Sequence, residues 1–124
     1  MAELAAVIAS PGHSLLLAER DGTLVGTVTV ADLGQGRAYL GMLAVSPSAQ
    51  VGGLGRLLVT AAAEEAKARF AARTLELTVI ALRTELIDWY RRRGFACTGE
   101  LRPFPVAVPD RERLVLTVME RDLA

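Results

Sequence analysis

The sequence predicts a mixed α/β fold, in which a mostly antiparallel sheet contains one central β-α-β crossover. Three observations lead to this prediction. A strand pattern over residues 36–45, a helical pattern over about 53–72 and an alternating pattern over 74–81 follow one another, and such a unit closes as a right-handed crossover with two parallel strands. Asp21-Gly22 separates two apolar runs, which is typical of a β-hairpin. Two further strand patterns, at 95–100 and 113–120, end the chain.

The first half of the chain is predicted to form a short helix, a hairpin, a third strand and a long helix. Glu3–Ser10 has a helical composition and stops at Pro11-Gly12, so a short helix is expected there. Residues 14–20 and 23–31 form the predicted hairpin, and a third strand follows at 36–45. The long helix after it repeats apolar side chains with a period near 3.6 residues, at Leu54, Leu57, Leu58, Ala61, Ala62 and Phe70.

The second half begins with the strand at 74–81 and a second helix. Thr84 is the predicted N-cap of that helix, its acids come early, three arginines come late, and Gly94 ends it. This charge order complements the helix dipole, and glycine is the usual residue just past a helix end. Cys97 lies in the next predicted strand and is expected to be buried rather than to act as a nucleophile.

Length and composition indicate one soluble domain over residues 1–124. The chain is 52 % hydrophobic, and its 14 basic residues balance 14 acidic ones, which argues against a nucleic-acid or membrane partner. A single cysteine excludes an internal disulfide, and no basic, apolar leader precedes the first element, so a cytoplasmic location is expected. With one histidine and one cysteine, no metal site is expected.

The turn before the long helix carries the strongest functional signal. Gly52, Gly53 and Gly55 stand at its start, Arg56 follows, and residues 33–63 contain no aspartate or glutamate. A helix N-terminus presents free N–H groups and partial positive charge, and glycine lets a ligand approach the backbone. The pattern therefore indicates an anion site, although a tight turn that binds nothing is also possible. The glycine spacing fits neither a P-loop nor a dinucleotide fingerprint.

Two motifs resemble those of the GNAT family of N-acetyltransferases. Gln50-Val51-Gly52-Gly53-Leu54-Gly55 is similar to the family's Gln/Arg-x-x-Gly-x-Gly/Ala pattern. The segment "LIDWYRRRGF", at residues 86–95, resembles its second signature, about 35 residues further along the chain. The resemblance extends from about Ser14 to the C-terminus, and it implies a GNAT-like acyl-CoA N-acyltransferase fold that lacks the family's first strand and helix.

The resemblance also implies site residues and a cofactor. Acetyl-CoA would be the co-substrate, with no metal, and the main chain of Leu43, Ala44 and Val45 would pair with its pantetheine arm. Tyr90 stands where the family places its general acid, which would protonate the leaving thiolate. The pyrophosphate of acetyl-CoA would be held at Gln50, Val51, Gly52, Gly53, Leu54, Gly55 and Arg56.

Three departures from the family pattern accompany the resemblance. Few residues precede the hairpin, so either the start is truncated or another chain completes an exposed sheet edge, which makes a homodimer plausible. Tyr39 stands where many members carry a glutamate, which leaves no obvious general base. Arg83 replaces a common asparagine that helps to hold the cofactor arm.

The resulting hypothesis is an N-acetyltransferase that transfers acetyl from acetyl-CoA to a primary amine by direct attack in a ternary complex. The acceptor, a small molecule or a peptide, is left open. Two alternatives remain: a catalytically impaired acyl-CoA-binding module or subunit, and a structural domain whose glycine turn binds nothing.

Overall fold

The computed structural model describes residues 3–47, 53–104 and 114–123. In chain order, the described elements are β1 (Glu3–Ser10), β2 (His13–Arg20), β3 (Thr23–Gly34), β4 (Arg37–Val45), α1 (Leu54–Phe70), β5 (Thr74–Ile80), α2 (Thr84–Arg92), β6 (Ala96–Pro103) and β7 (Val115–Asp122).

The predicted fold class is confirmed. The seven strands are ordered β1-β2-β3-β4-β5-β7-β6, and the sheet is mostly antiparallel. The chain divides into two compact units, one comprising Met1–Leu75 with Leu123–Ala124 and the other Glu76–Asp122. The first unit contains β1 to β4 and α1, and the second contains α2, β6, β7 and most of β5.

The N-terminal segment is a strand, and the prediction of a helix there is wrong. β1 pairs antiparallel with β2, with Glu3 opposite Glu19 and Val7 opposite Leu15. Alanine favours a helix in isolation, but eight residues are too few for a stable helix without packing, and strand pairing with β2 satisfies the backbone instead. A strand therefore precedes the hairpin, at the place where the resemblance led us to expect a missing one.

The predicted hairpin between β2 and β3 is confirmed. Its turn residues Asp21 and Gly22 both have positive φ, 53° and 79°. This is the conformation of the turn that matches strand twist, and Asp-Gly accepts it at low cost.

The core of the first unit lies between α1 and one face of β2, β3 and β4. The helix buries one side against the sheet, and the buried face differs from the predicted one because Leu57 is 41 % exposed. Each large aliphatic side chain in this layer contributes about 1.5–3 kcal/mol on burial. The helix contributes Leu54, Leu58, Val59, Ala62, Ala63 and Ala66, and the sheet contributes Leu16, Ala18, Val28, Val30, Ala38 and Leu40.

Arg69, in the last turn of α1, fixes the β1–β2 turn. Its guanidinium donates to the carbonyl oxygens of Ser10, at 2.6 Å, and of His13, and to Ser14 Oγ at 2.7 Å. Ser14 is 1 % exposed and donates in turn to Glu65 Oε2 at 2.6 Å. These charge-assisted bonds hold the end of α1 to the start of the sheet.

In the second unit, α2 begins without the predicted N-cap at Thr84. The N-cap is Arg83, whose side chain makes no capping hydrogen bond, and Thr84 is the first helical residue. The hydrogen bond from Arg83 to Glu85 lowers the pKa of that carboxyl. Gly94, with φ of 97°, follows the helix end as predicted.

Strands β6 and β7 close the second unit as predicted, but Cys97 in β6 is exposed, which corrects the expectation of burial. A buried carboxylate, Glu76 on β5, binds Arg102 of β6 at 3.0 Å, and Arg102 also binds Glu100 at 2.8 Å. These hydrogen bonds to Glu100 and to Glu76 raise the pKa of the Arg102 guanidinium.

Candidate functional site

A β-bulge interrupts β4 at the start of the predicted pantetheine-binding segment. Thr29 pairs with Gly41 and Thr27 with Ala44, so two residues of β4, Met42 and Leu43, oppose a single residue of β3. Met42 adopts a left-handed φ of 49°, and its side chain is 79 % exposed. A non-glycine residue in that conformation costs about 1–2 kcal/mol, and such strain concentrates at functional sites.

Met42 is a site feature that sequence reasoning missed. Methionine has no preference for the left-handed region, so its residue type gives no signal of the bulge. Thr27 Oγ1 donates to the Met42 carbonyl oxygen at 3.4 Å, across the bulge. The predicted pantetheine-binding residues Leu43, Ala44 and Val45 follow directly and complete β4.

The start of α1 has the features expected of an anion site. Gly53 is the N-cap, with a left-handed φ of 75°, and it offers no side chain to cap the helix. The first turn holds no acidic residue, and Arg56 in that turn is exposed. Leu57 N donates to the Gly53 carbonyl oxygen at 3.1 Å, which sets the direction of the first turn. The predicted residues Gln50, Val51 and Gly52 lie outside the described part of the chain.

Gly26 of β3 brings the start of α1 close to the end of β4. A Cβ at Gly26 would lie 2.8 Å from Leu58 Cδ1, 3.4 Å from Leu54 Cδ2 and 3.3 Å from the Ala44 carbonyl oxygen. Only a residue without a side chain lets these groups approach so closely. An isolated glycine inside a strand pattern can signal close backbone approach, but Gly26 was not among the predicted site residues.

The first unit therefore combines two features that fit acetyl-CoA. Backbone N–H groups at the start of α1, with the helix dipole and Arg56, suit the negative charge of a pyrophosphate. The segment after the bulge offers main-chain groups to an extended chain with amide groups, such as pantetheine, in the manner of an added strand.

Tyr90, the predicted general acid, lies in the last turn of α2 in the second unit. It is buried, and its ring meets Trp89 and Phe95 edge-on, with ring centroids 5.1 and 5.7 Å away. Its carbonyl oxygen accepts hydrogen bonds from the N–H groups of Arg93 and Phe95 at the helix end. These contacts hold the Tyr90 ring against two aromatic neighbours and tie its carbonyl group to the end of the helix.

Comparisons with solved structures agree on the fold. A GNAT-family acetyltransferase from Elizabethkingia anophelis with acetyl-CoA bound is 14 % identical, with a TM-score of 0.82 over 98 % of this chain and 97 % of that one. An IAA acetyltransferase from Bacillus cereus is 13 % identical, with a TM-score of 0.81 over 98 % of this chain and 99 % of its own. Nourseothricin acetyltransferase is 23 % identical, with a TM-score of 0.80 over 99 % of this chain and 85 % of its own.

No curated protein matches the sequence. Among the described residues, neither helix has the length and apolarity that a membrane crossing requires.

The sequence itself matches a family model. The model of the acetyltransferase (GNAT) family covers residues 2–95, which include the glycine turn, the bulge in β4 and Tyr90. The chain therefore belongs to the GNAT family of acetyltransferases, whose activity is the transfer of an acyl group from acyl-CoA.

Proposed function

We propose that this protein is an N-acetyltransferase that transfers the acetyl group of acetyl-CoA to a primary amine by direct attack in a ternary complex. The observation that carries the proposal is the start of α1, where left-handed Gly53 opens an acid-free first turn. Gly26 lets that turn pack against the end of β4, directly after the bulge at Met42.

Two segments of the first unit bind different parts of the cofactor. The main chain of Leu43, Ala44 and Val45 pairs with the pantetheine arm. The pyrophosphate lies at the N-terminus of α1, where the partial positive charge of the helix and the Arg56 guanidinium favour it. The residues proposed for this second segment are Gln50, Val51, Gly52, Gly53, Leu54, Gly55 and Arg56.

In the proposed reaction, the amine nitrogen attacks the thioester carbonyl carbon, an N–C bond forms and the C–S bond breaks. The N–H of Leu43 donates to the carbonyl oxygen as it gains negative charge. The Tyr90 phenol gives its proton to the departing sulfur and is reprotonated from solvent. The proton lost by the attacking nitrogen passes to water, because Tyr39 stands where many relatives carry a glutamate base.

Thermal unfolding with acetyl-CoA, and with ATP as the phosphate control, tests the cofactor site. Acetyl-CoA at 100 times its dissociation constant adds about 2.7 kcal/mol of stability. A rise in Tm with acetyl-CoA but not with ATP supports the site. No rise at millimolar acetyl-CoA contradicts it.

Release of free thiol from acetyl-CoA then tests catalysis on a panel of amines. Two solved relatives are described as acting on nourseothricin and on spermidine, so the panel includes both, together with amino acids and a peptide. Tyr90→Phe is expected to lower kcat by at least about tenfold, since general acids contribute roughly 10²–10⁴-fold. The chain has two tyrosines, so Tyr39→Phe is the matched loss of a phenol, and we expect it to change kcat far less.

A second candidate function is an acyl-CoA-binding module without turnover. Tyr39 stands where many relatives carry a glutamate base, and no other base is evident in the sequence, which favours this second function. A Tm rise with acetyl-CoA, with no thiol release for any amine of the panel, would select this function over the first.

We propose one N-acetyltransferase domain over residues 1–124, acting in the cytoplasm on a small-molecule or peptide amine. The balance of 14 basic and 14 acidic residues supports the absence of a nucleic-acid or membrane partner, and the single cysteine suits a reducing compartment.

A further inference from the structure

The sheet of the first unit has two faces of different character. α1 packs on the face that carries Leu16, Val28 and Val30, each of which is at most 5 % exposed. Side chains alternate along a strand, so the neighbouring residues point to the opposite face. We call that surface the open face; its central side chains are Ala5, Val7, Leu15, Leu17, Thr27 and Thr29.

The open face is apolar where a solvated sheet face is normally polar. Its central residues form two rows across the strands, Ala5-Leu17-Thr27 and Val7-Leu15-Thr29. Neither row contains a charged residue, and Val7 is 45 % exposed. Among the described residues of this unit, α1 is the one helix, and it lies on the other face. An uncharged, partly aliphatic surface of this kind, with no helix of this unit on it, favours an interaction site.

The ends of the open face differ in charge. At one end, Glu3 and Glu19 are cross-strand neighbours, so two carboxylates lie side by side. At the other end, the row of His13, Ala31 and Tyr39 contains no acid. A surface that placed carboxylates over the row of Glu3 and Glu19 would be repelled, whereas a surface without acidic residues would not be.

We propose that the open face is a self-association surface on which a second copy of this chain packs face to face. The two-fold axis lies between the sheets and runs across the strands, so the strands of the two copies run in opposite directions. Leu17 of each copy then faces Leu15 of the other, and Thr27 faces Thr29. Each acidic row faces the acid-free row of the other copy, so the arrangement is complementary to itself.

The size of the open face limits the strength of this association. Four strands about 4.8 Å apart, over seven residues of about 3.4 Å each, give a flat area of roughly 450 Å² per copy. The total of about 900 Å² is below a standard interface and in the range of weak complexes. We therefore expect a reversible dimer with a dissociation constant in the micromolar range.

Sedimentation velocity between about 1 and 500 μM tests the proposal on the full chain. The wild type is expected to shift from monomer to dimer across this range. Val7→Glu places a charge on the open face at an already exposed position, and it should raise the dissociation constant at least tenfold. Leu4→Glu is the matched control, because Leu4 is 39 % exposed on the same strand but points to the other face. It should leave the dimer intact.

Leu17→Glu is a second test at the centre of the open face, with far-UV circular dichroism to verify folding. A wild type that stays monomeric at 500 μM overturns the proposal. Equal weakening by Val7→Glu and Leu4→Glu also overturns it, because it would indicate pairing along the edge of β1. A folded Leu17→Glu variant that dimerises like the wild type overturns the proposal as well.

Discussion

Gly26→Ala adds one methyl group at the point where β3, β4 and α1 approach most closely. The new Cβ would lie 2.8 Å from Leu58 Cδ1, whereas two carbon atoms pack best at about 3.5–4.0 Å. It cannot move away freely, because the Ala44 carbonyl oxygen lies 3.3 Å and Leu54 Cδ2 lies 3.4 Å from the same position. Leu58 cannot turn toward solvent either, since it is 0 % exposed.

The expected result is a lower free energy of unfolding and a displaced α1. Overpacking of this kind costs about 1–3 kcal/mol. For a domain of this length, 1 kcal/mol changes Tm by roughly 3–6 °C, between the values for smaller and larger domains. Because the methyl group pushes apart the start of α1 and the end of β4, we also expect weaker acetyl-CoA binding if the proposed site is right.

Gly12→Ala is the matched control for this prediction. Nothing lies within 4 Å of a Cβ at Gly12, and its φ is not left-handed. Alanine there should leave stability unchanged or raise it by up to about 1 kcal/mol through the unfolded state. Urea unfolding of both variants measures the difference. If the midpoints of Gly26→Ala and Gly12→Ala coincide, the close packing described at Gly26 is not a real constraint.

Two further predictions concern the bulge and the buried carboxylate. Met42→Gly should raise the free energy of unfolding by about 0.5–1 kcal/mol, because glycine accepts positive φ and the exposed side chain packs little. Met42→Ala keeps the Cβ and should be near neutral in the same urea titration. If Met42→Ala raises the free energy of unfolding as much as Met42→Gly does, backbone strain is not the cause. Glu76→Gln should cost about 2 kcal/mol, less than a fully buried pair because the Arg102 side chain is 36 % exposed. Glu100→Gln removes the 54 % exposed partner of the same arginine and should cost well under 1 kcal/mol; equal losses for the two variants would contradict the role given to burial.

Local sequence signals identified most of the elements. Asp21-Gly22 predicted the hairpin turn, because few residue pairs accept positive φ at both positions. Gly94 predicted the end of α2, because glycine accepts the positive φ found there. The apolar period of α1 gave the helix, but not its buried face. Leu57 fits the period and is exposed, because the orientation of a helix depends on the sheet beneath it.

The candidate site was predicted in part. The glycine pattern and the missing acids indicated the start of α1, and the structure places left-handed Gly53 there. Met42 and Gly26 were not predicted, because a bulge depends on the pairing register of two strands and a close approach depends on what packs above.

The sequence by itself determined the family, the fold class and the composition of the glycine turn, because these follow from residue types at fixed spacing. Only the tertiary structure decided that Glu3–Ser10 is a strand, since its alanine-rich composition suits a helix until β2 offers hydrogen-bond partners. It also decided which sheet face α1 covers, and therefore which aliphatic side chains the helix leaves uncovered on the other face. Both outcomes depend on contacts between residues distant in the chain, which no local pattern encodes.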